Sequence, residues 1–205
     1  MENFYDKYEF FPLTILDTPL ETAKAEIEGI IRNWWGDIKI EKGAVNLDKV
    51  NPPPKITPGG AHFTKILIWT PINNPNMTAL FVNLQDAYNS LIHVWNDKFE
   101  KRAITLRLSN DKICTYPHHE ICIKTSDKNE RVVYSHFESK WEFFDFGPIQ
   151  DFENVDYYKA KRIKDRINND IINSYMGKLG LEIWTDDFYK SNKDGVYLEQ
   201  LSWKN

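Results

Sequence analysis

Hydrophobic and polar residues recur with different periods along the chain, and these periods predict where helices and strands lie. The longest helical pattern begins near Val155 and stops before Gly180. Its apolar residues fall mostly three or four positions apart, which gives a helix one buried stripe. They are Tyr158, Ile163, Ile167, Ile171, Ile172, Tyr175, Met176 and Leu179. The Asn-Asn-Asp run at 168–170 favours a helix cap, so residues 155–180 are predicted to form either one helix or two.

Two further helices are predicted upstream of this pattern. Near the N-terminus, Thr18 is predicted as an N-cap, Pro19 as the first helical residue and Glu21 as the partner in a capping box. That helix is expected to end at Gly36, because glycine is common just past a helix C-terminus. A second helical stripe predicts a helix over residues 86–99.

Short runs rich in β-forming residues predict the strands. They cover residues 37–41, 63–70, 78–82, 103–108, 112–116, 120–125 and 195–203, with a β-hairpin over 131–147. The order strand, helix, strand over 78–108 is typical of a crossover between parallel strands. We therefore expect one α+β domain over residues 1–205, with a mixed or mainly antiparallel sheet and helices packed mostly on one face. Residues 1–60, a helix, a strand and a proline-rich loop, are predicted to attach loosely to it.

Composition limits the classes of protein and partner. The 205 residues are 41% hydrophobic and 14% aromatic, which is enough to build a sizeable core. The formal net charge of −4 makes nucleic acid an unlikely partner, since phosphate binding needs an excess of Lys and Arg. The start of the chain does not resemble a secretory signal, and the uncharged run 66–85 contains proline and asparagine that do not suit a membrane span. Two cysteines fit a reducing compartment, so a cytoplasmic protein without a membrane partner is expected.

One cluster of metal-ligating residue types stands out. Cys114, His118, His119 and Cys122 lie within nine positions. Zinc sites usually pair ligands two to four residues apart across a turn, and the spacing of these four residues is not one of the recognised templates. We favour two half-buried thiols beside two turn histidines, and we predict no metal site.

Other catalytic patterns are incomplete. Asp37 with Lys39, and Glu138 with Lys140, have the local order of a nuclease site but lack a further carboxylate expected on a neighbouring strand. The Gly59-Gly60 pair lacks the lysine of a phosphate-binding loop, and there is no nucleophile elbow. We therefore predict no catalytic residue and no cofactor. The alternative is a metal-dependent hydrolase or nuclease whose site has an unrecognised pattern.

Charge is distributed in two blocks around the start of the long helical pattern. Residues 141–156 contain five carboxylates and no Lys or Arg, whereas residues 159–166 are mostly basic. The two blocks are expected either to neutralise each other or to leave an acidic, aromatic surface for a basic partner, because aromatic anchors surrounded by one sign of charge favour fast protein association. The predicted partner-binding residues are Trp141, Asp145, Asp151, Phe152, Glu153 and Asp156.

Several segments in the last two thirds of the chain also carry a family resemblance. They are residues 83–91, 131–134, 141–144 with Gly147, 152–153, 157–158, 163–166 and 175–180. Together they resemble a group of bacterial uncharacterised proteins, some of which look like immunity proteins of polymorphic toxin systems. The resemblance implies a small cytosolic α+β protein that neutralises a toxin by binding it. The expected function is therefore a non-enzymatic, immunity-type inhibitor that occludes a cationic bacterial toxin.

Overall fold

A nine-stranded sheet forms the centre of the computed structural model, which describes residues 3–56 and 62–204. Its strands are β1 (Phe10–Leu16), β2 (Ile38–Gly43), β3 (Lys65–Trp69), β4 (Thr78–Val82), β5 (Ala103–Ser109), β6 (His118–Lys124), β7 (Glu130–Phe137), β8 (Trp141–Phe146) and β9 (Gly195–Gln200). Their order across the sheet is β2-β9-β3-β4-β1-β5-β6-β7-β8. Every neighbouring pair is antiparallel. The α+β class with a mainly antiparallel sheet is thus confirmed.

Three α-helices cover the two sides of the sheet. They are α1 (Leu20–Trp34), α2 (Asn89–Phe99) and α3 (Asn169–Lys178). Helices α1 and α2 pack on one side, against inward residues such as Ile68 and Leu80. Helix α3 packs on the opposite side, where the alternate residues Leu67 and Phe81 point, because successive side chains of a strand face opposite ways. Two of the three helices therefore share a side, which we call the α1–α2 side, and the other is the α3 side.

The N-terminal region supplies a central strand. Strand β1 lies between β4 and β5 and is buried along its whole length. The expectation that residues 1–60 attach loosely is therefore wrong for this strand. Strands β4 and β5 are each antiparallel to β1 and hence parallel to each other, so β4, α2 and β5 form the predicted crossover with β1 inserted. Part of the proline-rich loop, residues 57–61 with Gly59-Gly60, lies outside the described residues.

The starts of α1 and α2 differ from the sequence prediction. Pro19 is the N-cap of α1, and no side chain caps this helix. The backbone carbonyl of Thr18 instead accepts a hydrogen bond of 2.8 Å from the hydroxyl of Thr78. This bond connects the start of α1 to β4. Helix α2 begins at Asn89, since Ala87 and Tyr88 have positive φ angles of 57° and 55° and cannot belong to a right-handed helix.

The predicted long helix is divided, and its first part is not α-helical. Residues 155–168 contain two short 3₁₀ turns, Tyr157–Lys159 and Ile163–Asp165. Helix α3 starts only after Asn168, whose side-chain oxygen accepts a hydrogen bond of 3.0 Å from the backbone N–H of Ile171. The prediction of two pieces is therefore closer, and the cap at Asn168 is the reason.

Residues 112–116, predicted as a strand, form a turn instead. The backbone carbonyl of Asn110 accepts hydrogen bonds from the N–H groups of Ile113 and Cys114, and its side chain accepts one from Lys112 N–H. These local bonds replace pairing with a neighbouring strand. The turn carries Asp111 and Lys112 to the end of the sheet.

A buried arginine joins β7, β8 and the segment that follows β8. The side chain of Arg131 is 1% exposed. It donates hydrogen bonds of 2.9 and 2.7 Å to the two carboxylate oxygens of Glu153, pairs with Asp145, and donates to the carbonyls of Phe146 and Gly147. Gly147 has φ of 86°, and a Cβ there would overlap the carbonyl oxygen of Glu130. The turn after β8 is therefore fixed both by glycine and by the arginine.

Replacing Arg131 with alanine is expected to lower the free energy of unfolding by about 3–5 kcal/mol, because Glu153 is left buried without its partner. Urea unfolding of the wild type and the variant measures this. Arg162→Ala is the matched control, since Arg162 is exposed and pairs only with the nearby Asp165; its loss is expected to cost about 1 kcal/mol or less. Similar losses for the two variants would contradict the central role of Arg131.

Candidate functional site

The α1–α2 side of the sheet becomes exposed toward edge strand β8. Thr105 of β5 and Cys122 and Lys124 of β6 are buried on this side, whereas Phe144 and Phe146 of β8 are exposed. The core formed with α1 and α2 draws on β9, β3, β4 and the ends of β1 and β5, and no described helix extends it over β6, β7 or β8. We call the uncovered surface the open face. Cross-strand pairing and strand alternation place its residues side by side. The exposed or half-buried ones include Arg107, His118, Glu120, Val132, Tyr134, His136, Glu142, Phe144 and Phe146.

A ladder of aromatic rings crosses the open face. The rings of Tyr134 and Phe144 stack with centroids 5.1 Å apart, and Phe146 lies 6.3 Å beyond Phe144. His118 stacks on the other side of Tyr134 at 5.3 Å. Phe144 is 42% exposed and Phe146 is 55% exposed, although their neighbours hold them in place. Contiguous exposed apolar surface of this kind commonly marks an interaction site.

The polar groups of the open face are largely paired with one another. Arg107 donates to Glu120 at 3.1 Å, and His118 Nε2 lies 2.6 Å from the same carboxylate oxygen. Burial alone would raise the pKa of Glu120, but the bonds from His118 and Arg107 bring it below its usual range. Burial also holds the pKa of His118 below its ordinary value, so its imidazole is neutral near pH 7 and donates the Nε2 proton. The carboxylate of Glu142 is 53% exposed, and Lys140 Nζ lies 3.7 Å from it.

Strand alternation divides the predicted partner-binding residues of β8 from the exposed aromatic ones. Trp141 and Asp145 point to the α3 side, opposite to the open face. Trp141 stacks on His119 at 6.3 Å, and Asp145 pairs with Arg131 while staying 38% exposed. The sequence prediction did not distinguish the residues on the two faces of β8. The signal that distinguishes them is alternation in β7, where Val133 is buried on the α3 side and pairs with Asp145.

The other four predicted residues are dispersed beyond β8. Phe152 and the side chain of Glu153 are buried, so in this structure they make internal contacts and offer no surface. Asp151 is exposed, and Asp156 is exposed and pairs with Lys159 at 2.8 Å. The six residues therefore do not form one continuous surface, and part of the basic block neutralises its acidic neighbours locally.

On the α3 side, a histidine joins the sheet to helix α3 beneath a polar cleft of about 340 Å³. His119 is buried, with Nδ1 2.8 Å from Asn169 Oδ1. Asn169 donates its amide N–H to the Ser109 carbonyl at 2.9 Å, which fixes the amide orientation and requires a proton on His119 Nδ1. Nε2 of His119 lies 2.9 Å from Oδ1 of Asp111, which is within ion-pair distance, but the two groups are not aligned for a hydrogen bond. The imidazole holds the pKa of Asp111 below its usual range.

The four candidate metal ligands do not converge on one point. His118 and His119 point to opposite sides of β6, Cys122 shares the side of His118, and Cys114 belongs to the core of the α3 side. Burial raises the pKa of Cys114 to about 11 and of Cys122 to about 12, so both are thiols at neutral pH. Within residues 3–56 and 62–204, no group of three or more His, Cys, Asp or Glu is placed to hold a metal ion.

Comparison of the chain with protein-family models, curated proteins and solved structures finds no match. Over the described parts of the chain, no helix has the length and apolar character needed to cross a bilayer.

The stability that Glu153 contributes should depend on pH in the acidic range. Burial would raise the pKa of its carboxyl, but hydrogen bonds from Arg131 and Tyr158 hold it below the usual value. The contribution is then full above the unfolded pKa of about 4.3 and is lost as pH falls through the lower folded pKa. Urea midpoints of the wild type and Glu153→Gln should differ most near neutral pH, approach each other as pH falls below the unfolded pKa, and converge only below the lower folded pKa. A difference independent of pH would contradict this.

Asn169→Ala should lower the free energy of unfolding by about 1–3 kcal/mol, because buried His119 Nδ1 and the Ser109 carbonyl both lose a partner. Thermal or urea unfolding measures the loss. Asn74→Ala is the control, since the Asn74 side chain makes one exposed hydrogen bond to the Gly180 carbonyl. An effect no larger than that of the control would show that the tie between β6 and α3 carries little stability.

Proposed function

We propose that this chain is a non-enzymatic protein-binding module, and more specifically an immunity-type inhibitor that covers a toxin. The observation that carries the proposal is the open face, where Tyr134, Phe144 and Phe146 form an ordered aromatic ladder with two strongly exposed members. Aromatic side chains in a rigid setting lose little conformational entropy on binding and are common anchors of protein interfaces.

The shape of the open face favours a macromolecular partner. Four strands about 4.8 Å apart span about 15 Å, and strands of this length extend about 20 Å. A sheet surface of that size suits the centre of a protein interface, whereas small-molecule sites are concave, and Tyr134, Phe144 and Phe146 line none of the main described cavities. The polar groups around the ladder are held by neighbours, as in the Arg107–Glu120 pair, so a partner meets a preorganised surface.

The charge around the ladder favours a basic partner. Arg107 is neutralised by Glu120. At the β7–β8 end the two exposed carboxylates of Glu138 and Glu142 outnumber the one cation of Lys140, which lies 3.7 Å from Glu142, and the whole chain carries a net charge of −4. Such a surface speeds association with a cationic protein. The identification of that partner as a toxin rests on the resemblance of the sequence segments to immunity proteins.

Phe144→Ser should weaken binding to the partner at least about tenfold, because it removes a central anchor of the ladder. The probe is the product of the gene adjacent to this one. Its toxicity is measured in cells with and without this chain, and its affinity for the purified chain is measured by calorimetry. Protection and binding are both expected for the wild type, and both should weaken in the variant.

Phe63→Ser is the matched control. Phe63 is 46% exposed but lies at the other end of the sheet, against Trp203. It should leave affinity and protection unchanged, and circular dichroism should show that both variants are folded. Undiminished binding of folded Phe144→Ser would refute the open face as the binding surface, and protection without binding would refute inhibition by occlusion.

A further inference from the structure

The two edges of the sheet differ in a way that points to one of them as a docking edge. Edge strand β2 carries the charged residues Lys39, Glu41 and Lys42, with a Lys39–Glu41 ion pair of 2.9 Å. Charges of this kind protect sheet edges from pairing with other chains. Edge strand β8 instead carries four aromatic residues among six, with the carboxylates of Glu142 and Asp145 and no lysine, so it is less protected than β2.

The backbone of β8 is free on its outer side. Its ladder pairs with β7, and no other described segment forms backbone hydrogen bonds with residues 141–146. After Phe146 the chain turns away through Gly147 and Pro148, and it then passes to the α3 side where Glu153 meets Arg131. Alternate residues of an edge strand direct N–H and C=O groups outward, and β8 contains no proline to remove a donor.

We propose that the partner binds by adding an extended strand to the outer edge of β8. This inference rests on the proposed function and specifies how the partner is held. Main-chain hydrogen bonds to β8 supply affinity, and side chains on the open face supply selectivity, which is the general mode of strand addition. The turn at Gly147 and the contacts of the buried Arg131 with Asp145 and Phe146 fix the position of this edge.

The side chains of β8 define the chemistry of the added strand. Residues opposite one another on antiparallel strands share a side of the sheet, so an apolar residue of the partner would extend the ladder at Phe144. A Lys or Arg two positions away would meet the exposed carboxylate of Glu142. Asp145 is already paired with Arg131 on the α3 side, so the open face makes the main selection. The partner segment is therefore extended, with apolar and basic residues alternating on one face.

The test uses a synthetic peptide of about eight residues, long enough to match β8, in which threonine alternates with tyrosine or lysine. Two N-methylated versions are compared, one methylated at every threonine and the other at every tyrosine and lysine. Because only one set of N–H groups faces β8, one version should lose at least about tenfold in affinity and the other should bind like the parent peptide. Hydrogen exchange of the full chain should show new protection of the amides of β8 with the parent peptide.

Variants of the full chain complete the test. Phe144→Ser should lower the affinity for the parent peptide at least about tenfold. Glu142→Gln should reduce the salt dependence of peptide binding. Phe63→Ser should change neither the affinity nor its salt dependence. Equal effects of the two methylation patterns, absence of binding, or protection of amides elsewhere would overturn strand addition. Concentration-dependent dimers of the chain alone that protect β8 would also overturn it, in favour of a second copy as the occupant.

The outcome is separable from that of the proposed function. If the toxin candidate binds in a manner sensitive to Phe144→Ser but does not protect the β8 amides, the open face acts by side chains alone and only strand addition fails. If the candidate does not bind, while the parent peptide and only one of its two methylated versions bind, strand addition stands and the proposed partner fails.

Discussion

The end of the sheet that carries the open face depends on a buried ion pair. Arg131 lies in β7, and its guanidinium contacts β8 through Asp145 and the carbonyl of Phe146, and the following segment through Glu153. A buried charge is costly unless it is fully paired and hydrogen-bonded, and here the arginine finds carboxylates and carbonyls on the α3 side. These contacts on the α3 side therefore fix the position of β8, whose opposite side carries the aromatic ladder.

This arrangement explains why the acidic run 141–156 has a different role from the one its composition indicates. Glu153 compensates an arginine that is far away in sequence, and Asp145 shares that task. Residues 159–166 are then left with local partners, as in the pair of Arg162 with Asp165. A run of one sign in the sequence is thus dispersed by folding into a core pair and several surface pairs.

Much of the fold could be predicted from local patterns. Periodicity placed most strands and all three helices, because burial of one face imposes a repeat on the sequence. It could not place β1 in the middle of the sheet, since strand order depends on pairing between distant segments such as Phe11 and Leu108. Nor could it reveal the turn at 112–116, where the local bonds of Asn110 prevail over β propensity. The sequence could not assign the side chains of β8 to the two faces of the sheet for a related reason, because their directions are set by the register with β7, in which Tyr134 pairs with Phe144.

The position of β1 has a consequence for how the chain acquires its structure. The residues that pair with β1 in β4 and β5 lie 62 to 99 positions further on. Among the described strands, β2 pairs only with β9, which is the last of them. Pairings so distant in sequence form slowly, since closing large loops costs entropy before any contact is gained. During synthesis the first strands are therefore made before their partners, and their apolar faces stay unpaired until then. Because β9 lies between β2 and β3, a chain whose synthesis stops before β9 leaves both of these strands without that neighbour.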